Sequence, residues 1–153
     1  MPIVKPCDKG KKLIAVIQKL EVSKINNGDK IVKKLTENGF IHLICKSNHG
    51  YYKNILKHPK YPEYIIKVYR HSDSYKYDSY YVPKDIKEDY LHPIYKTRKI
   101  LIQNEVKLTR QYKAWRTILD RYKKDIHAKY DVHSNNVGWY RGKPVIFDFC
   151  SRW

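Results

Sequence analysis

The chain has no run of eighteen apolar residues, and the segment from Met1 to Asp29 lacks both an uninterrupted apolar centre and a small-residue cleavage site. A transmembrane helix and a cleaved leader are therefore not expected, and the sequence reads as a cytoplasmic protein with no membrane partner. Cysteine is scarce: Cys7, Cys45 and Cys150 match no metal-ligand spacing, and an odd number cannot pair fully within the chain. That excludes a disulfide scaffold or zinc finger and favours a reducing compartment. Acids are also few, 15 against 32 lysines and arginines, giving a formal charge of +17. So positive a field attracts nucleic acid, nucleotide phosphates or acidic protein surfaces without choosing among them. Glycine-arginine repeats and RNA-binding aromatic motifs are missing. The 15 tyrosines, interleaved with lysines as in Tyr51-Tyr52-Lys53 and Tyr75-Lys76-Tyr77, suit either base stacking or a solvated basic surface.

What is present is enough for one domain with a real core: 153 residues, 42% apolar. Leu13, Ile14, Val16, Ile17 and Leu20 recur at helical spacing within Lys11 to Val22, and Ile31, Val32 and Leu35 repeat the pattern before Asn38-Gly39. Two short helices joined near Asn26-Asn27-Gly28 are expected. The texture then turns β-prone. Phe40 to Cys45, Tyr51 to Leu56 and Tyr64 to Tyr69 read as an antiparallel meander, with turn formers Ser47-Asn48-His49-Gly50 and breakers Pro59 and Pro62 between them. Residues 71–91 show no apolar stripe and read as a connector. His92 to Arg98 and Lys99 to Gln103 add two tightly joined strands, completing five.

From Val106 to Tyr130, Leu108, Tyr112, Trp115, Leu119, Tyr122 and Ile126 recur every three or four residues, predicting a long amphipathic helix with a basic outer face. A hairpin is expected from Val137 to Phe147, turned at Arg141-Gly142. The expected class is α+β. Residues 1–38 would form a helical extension, 39–105 a five-stranded antiparallel sheet, and 106–153 the long helix with the hairpin.

Chemistry concentrates near the C-terminus. Asp131-Val132-His133-Ser134-Asn135-Asn136 is followed, twelve residues after Asn136, by Asp148 at the end of the apolar run Val145-Ile146-Phe147. An Asp and an Asn five positions apart on one loop can face one pocket, the Asp accepting a hydroxyl proton and the Asn coordinating a metal. A second Asp on a strand end can hold the metal that bridges nucleotide phosphates. Upstream, Lys67 interrupts the apolar strand Ile65-Ile66-Lys67-Val68. Alternation lets it point beneath the hairpin of the first two strands. Read one at a time, each residue also has a plain structural explanation: a strand-edge lysine reaching water, a helix-ending Asp, a turn-forming Asn.

The loop and the apolar-Asp-aromatic strand Ile146-Phe147-Asp148-Phe149 resemble the catalytic corner of kinase-like phosphotransferases, and most nearly that of the small protein kinases encoded by tailed phages. Gly50-Tyr51-Tyr52 through His58-Pro59 to Ile65-Ile66-Lys67-Val68 is similar to their nucleotide-loop and lysine-strand segment, so the match runs from about Asn38 to Phe149. The resemblance implies a minimal protein-kinase-like fold: the five-stranded sheet as an N-lobe, the long helix, loop and hairpin as a truncated C-lobe. It makes Asp131 the catalytic base, with His133 beside it shaping the loop. Asn136 and Asp148 become Mg²⁺ ligands, and Lys67 the clamp on the nucleotide phosphates. Gly50 and Tyr51 would cover the phosphates of ATP. Gln103-Asn104-Glu105 would be the hinge whose backbone meets the adenine. Asp78, Asp85 and Glu88 are the acids available to pair with Lys67.

The departures are specific. Lys129 stands where many kinases carry His, Cys150 stands where Gly usually follows the aromatic residue, and Gly50 is a lone glycine where a full phosphate loop has three. Against the resemblance, the sequence ends five residues after Asp148, so acceptor positioning is expected from the target. Two functions follow. One is transfer of the γ-phosphoryl group of Mg·ATP to a hydroxyl of a protein, a host protein if the chain is phage-encoded, or of another acceptor. The alternative is a catalytically degenerate kinase fold acting as a basic binding or inhibitory protein for nucleic acid or a nucleic-acid enzyme.

Overall fold

A computed structural model of the chain describes residues 5–43, 53–69, 86–122, 126 and 132–147. They belong to two compact units, one within Pro2–Ser74 and Pro93–Glu105, the other within Tyr75–His92 and Val106–Trp153.

The first unit is an antiparallel sheet backed by two helices. The helix α1 (Asp8–Lys19) has an acid in its first turn and a lysine in its last, which suits the helix dipole, and buries Gly10, Leu13 and Ile17 along one stripe. A 3₁₀ turn, Val22–Lys24, follows, with Val22 buried. The helix α2 (Gly28–Glu37) starts at Asn27, whose side-chain oxygen accepts from the Lys30 amide at 3.1 Å. It stops where Gly39, at φ 89°, takes the left-handed conformation and the Phe40 amide returns to the Leu35 carbonyl. Ile31 and Leu35, one turn apart, face inward.

The strands are β1 (Ile41–Leu43), β2 (Lys53–Lys57), β3 (Tyr64–Tyr69), β4 (Tyr95–Lys96) and β5 (Ile100–Asn104), in the order β1-β2-β3-β5-β4 and antiparallel throughout. The expected five-stranded sheet is present. Its second hairpin is lopsided, because β4 spans two residues where the sequence suggested seven. Thr97 turns the chain there, its hydroxyl oxygen accepting from the Ile100 amide at 3.1 Å.

Period-two alternation sorts the central strand β3 onto two faces. Tyr64, Ile66 and Val68 join Leu56, Ile100 and Ile102 in one core with Leu13, Ile17, Ile31 and Leu35 of the helices. The helices α1 and α2 thus pack their buried stripes into the core of the sheet.

The second unit contains α3 (Gln111–Leu119) and a hairpin of β6 (Val137–Tyr140) and β7 (Lys143–Ile146). Arg141 and Gly142 both have positive φ, 51° and 76°, as a two-residue turn matched to strand twist requires. Here the expected helix from Val106 is corrected. Lys107 pairs with Trp139, amide to carbonyl in both directions, so the chain is still extended there, and α3 begins only after Arg110 at φ 50°. Leu108 and Tyr112 are consequently exposed, whereas Ala114 and Ile118 are the buried positions, joined by Trp115, Leu119 and Tyr122.

Each unit holds a histidine whose pKa is pushed below the ordinary value, chiefly by burial. His58 packs against Phe40 and Tyr61 and takes the Lys60 amide on Nδ1, with the Lys60 charge adding to the shift. His92 packs edge-on to Tyr90; burial is the main cause of its lowered pKa, partly offset by a hydrogen bond to the Lys87 backbone, with the Lys87 charge a smaller lowering effect. In the unfolded chain both take up a proton near pH 6.5. The unfolded state then binds more protons than the native state as pH falls below that value, so stability drops with acidification and levels off once the folded rings protonate. Urea unfolding between pH 7.5 and 5 should show this loss, reduced in His58→Gln and His92→Gln; identical profiles for all three proteins would refute it.

Candidate functional site

Five polar or charged side chains are buried among the described residues: Lys67, Asp89, Lys99, Gln103 and Asn136. Three of them are positions singled out by sequence. Lys67, Lys99 and Gln103 belong to the sheet unit, and Asp89 and Asn136 to the other; buried groups of this kind are rare unless they are paired or hydrogen-bonded.

Lys67 is 1% exposed, which rules out a strand-edge lysine reaching water. It pairs with Leu101 across the sheet, and Ile65 pairs with Gln103. Cross-strand partners share a face, and so do residues two apart, so Lys67 and Gln103 lie together on the face opposite the helices. The hinge segment is partly absorbed into the sheet. Gln103 and Asn104 are the last residues of β5, the Glu105 amide donates to the Glu63 carbonyl at 2.8 Å, and the Glu105 carboxylate meets Lys57 Nζ at 2.6 Å. The amide of Glu105 is therefore committed to the protein. Nothing local to Glu105 shows this, because its partner Glu63, the residue before β3, comes alongside only in the folded sheet.

In the second unit a 3₁₀ turn, Ser134–Asn136, carries the loop. His133 starts it: its Nδ1 accepts from the Asn135 amide at 3.2 Å, and its Nε2 lies 3.2 Å from Asn136 Nδ2. The imidazole thus caps the turn through Nδ1, with its other nitrogen beside the Asn136 side chain. Three further bonds hold the segment. Trp115 Nε1 donates to the Val132 carbonyl at 3.2 Å, Gln111 Nε2 to the Val137 carbonyl at 3.0 Å, and the Phe147 amide to the Asn136 carbonyl at 3.0 Å. The last bond sets Asn136 directly beside the residue that precedes Asp148. Asp131, Asp148, Gly50 and Tyr51 lie outside the described residues, as do Asp78 and Asp85. Glu88 is exposed, and its carbonyl accepts from Lys143 Nζ.

The base of this loop depends on Gly138. A Cβ there would meet the Lys107 carbonyl oxygen at 2.8 Å and Val106 Cγ2 at 3.0 Å, and the first contact is backbone that cannot turn aside. Gly138→Ala should cost about 1–3 kcal/mol through this overpacking, read as a lower urea midpoint. An unchanged midpoint would mean that the Lys107–Trp139 pairing yields freely.

Sequence reading missed Asp89. It is 4% exposed and accepts hydrogen bonds from Arg121 Nη1 and, at 2.6 Å, from the Tyr122 hydroxyl. Its own backbone carbonyl takes the Ile146 amide at 2.7 Å, and the Leu91 amide donates to the Ile146 carbonyl at 2.8 Å. Asp89 thus ties the segment before Tyr90 to the same β7 that ends beside Asn136. Burial, then Asp89 itself, raise the Tyr122 pKa far above the ordinary phenol range, so the hydroxyl stays a donor. Among the described residues no three His, Cys, Asp or Glu side chains gather as a metal site, and no helix is long and apolar enough to cross a membrane. Compared with protein families, curated proteins and solved structures, the chain matches none.

Proposed function

We propose that this protein binds Mg·ATP and transfers the γ-phosphoryl group to a hydroxyl acceptor. The observation that supports the reading is the burial of Lys67 beside Gln103 on one face of the sheet and, within the other unit, of Asn136 on its 3₁₀ turn. In this reading Lys67 supplies a positive charge from within the sheet face to the nucleotide phosphates. Asn136 supplies an amide oxygen, a hard donor of the kind Mg²⁺ takes, from a turn bonded to the end of β7. Asp148 would complete the ligand set one residue beyond Phe147, and Asp131 would accept the acceptor's hydroxyl proton. When bound, the metal would neutralise the charge that builds on the transferring phosphoryl group. His133 acts indirectly, by holding the loop.

The test is thermal unfolding with ATP, with and without Mg²⁺, followed by transfer of labelled phosphate from ATP to protein in a cell extract. A ligand that binds only the native state at a hundred times its Kd adds about 2.7 kcal/mol of apparent stability. A Mg²⁺-dependent rise in midpoint, with transfer lost in Asp131→Ala while the rise persists, is the expected result. No rise with Mg·ATP would overturn the proposal and leave the basic binding protein as the better reading.

A further inference from the structure

We infer that the exposed side of α3, with the adjoining end of β6, is a docking surface for single-stranded nucleic acid. The inference stands on geometry within the second unit and does not depend on phosphoryl transfer. Tyr112 is 65% exposed although it belongs to a helix with a buried stripe, and its ring lies 5.5 Å from that of Trp115. Beside them, Trp139 is anchored by its indole nitrogen on the Arg110 carbonyl at 3.3 Å, with the Arg110 guanidinium 5.7 Å over its ring. Trp115 is anchored likewise, on Val132. Anchored rings surrender little freedom when a base stacks on them, and a guanidinium on an indole offers a second flat, charged surface.

Charge completes the picture. Lys107, Arg110, Lys113 and Arg116 are all exposed, and Arg116 follows Tyr112 by one helical turn, so cation and ring share a side. Within α3 there is no acid, and Asp120 follows at its end. An exposed ring next to half-buried, anchored ones, interleaved with unbalanced cations, fits a strand with unpaired bases, because every base has a face to stack and every linkage a phosphate to neutralise. A duplex hides its base faces, and an acidic peptide has none.

The experiment is fluorescence anisotropy of a labelled oligo-uridine titrated with the full chain at several salt concentrations. Neutralising four phosphates predicts a slope of log K against log salt of about −3, from about −0.7 per phosphate on single strands. Tyr112→Ala should weaken binding roughly ten-fold at unchanged slope, as loss of one stacking contact does. Lys113→Glu with Arg116→Glu should weaken it further and flatten the slope. Lys30→Glu with Lys33→Glu, the same charge change on exposed positions of α2, should do much less. Equal loss in the two charge-reversed proteins, equal affinity for duplex RNA, displacement by polyglutamate at matched charge, or binding to anionic vesicles but not to the oligonucleotide would each overturn the inference. Circular dichroism of every variant separates lost contacts from lost fold.

Discussion

Lys67→Met should abolish most of the Mg·ATP-dependent rise in unfolding midpoint, with an affinity loss of about ten- to a hundred-fold. The magnitude follows from removing one charge-assisted contact to phosphate, about 1.5–3 kcal/mol. Lys67→Arg is the informative companion. It keeps the charge but places a larger, planar group where 1% exposure leaves no slack, so it should retain part of the rise at a lower midpoint without ligand. The comparison is made on the ligand-induced shift and not on the midpoint itself, because replacing a buried lysine alters stability through its protein partners as well. A full shift in Lys67→Met would show that the buried ammonium serves only the fold, and the proposed phosphate clamp would fall.

The second large effect concerns Asp89. Truncating it to Ala should destabilise the second unit by about 3 kcal/mol, since it strands the Tyr122 hydroxyl and the Arg121 guanidinium together. Arg121 is 44% exposed and recovers water, which keeps the cost from being larger. Tyr122→Phe removes one donor and should cost about 1 kcal/mol, and a double-mutant cycle with Arg121→Ala apportions the rest. Because Asp89 also receives the Ile146 amide, hydrogen exchange at Ile146 and Phe147 should accelerate in Asp89→Ala. Protection unchanged at both amides, with a midpoint within 0.5 kcal/mol of the parent on the scale of ordinary surface substitutions, would refute the role.

How far the sequence could be read depended on the range of the interaction. The limits of β3 were legible because Pro62 bounds Tyr64 to Tyr69 and period two runs through it. The turn at Arg141-Gly142 was legible because only certain residues accept positive φ. The long helix was misjudged because Leu108 keeps helical spacing with Tyr112, while the backbone pairing of Lys107 with Trp139, thirty-two residues away, outweighs that local preference. Asp89 escaped notice for the same reason: nothing beside it in the chain marks it as buried, and Arg121 and Tyr122 are its partners only after folding.

By itself, then, the amino-acid order determined the two N-terminal helices, the five-stranded antiparallel sheet and the closing hairpin. These follow from periodicity and turn chemistry, which act over a few residues. Tertiary structure alone decided that Lys67 is buried and not snorkelling, that the Glu105 amide is bound to Glu63, and that Asn136 is bonded to the end of β7. Those outcomes depend on which segments lie side by side once apolar surface has left water, and that non-local balance is not written in any short stretch of chain.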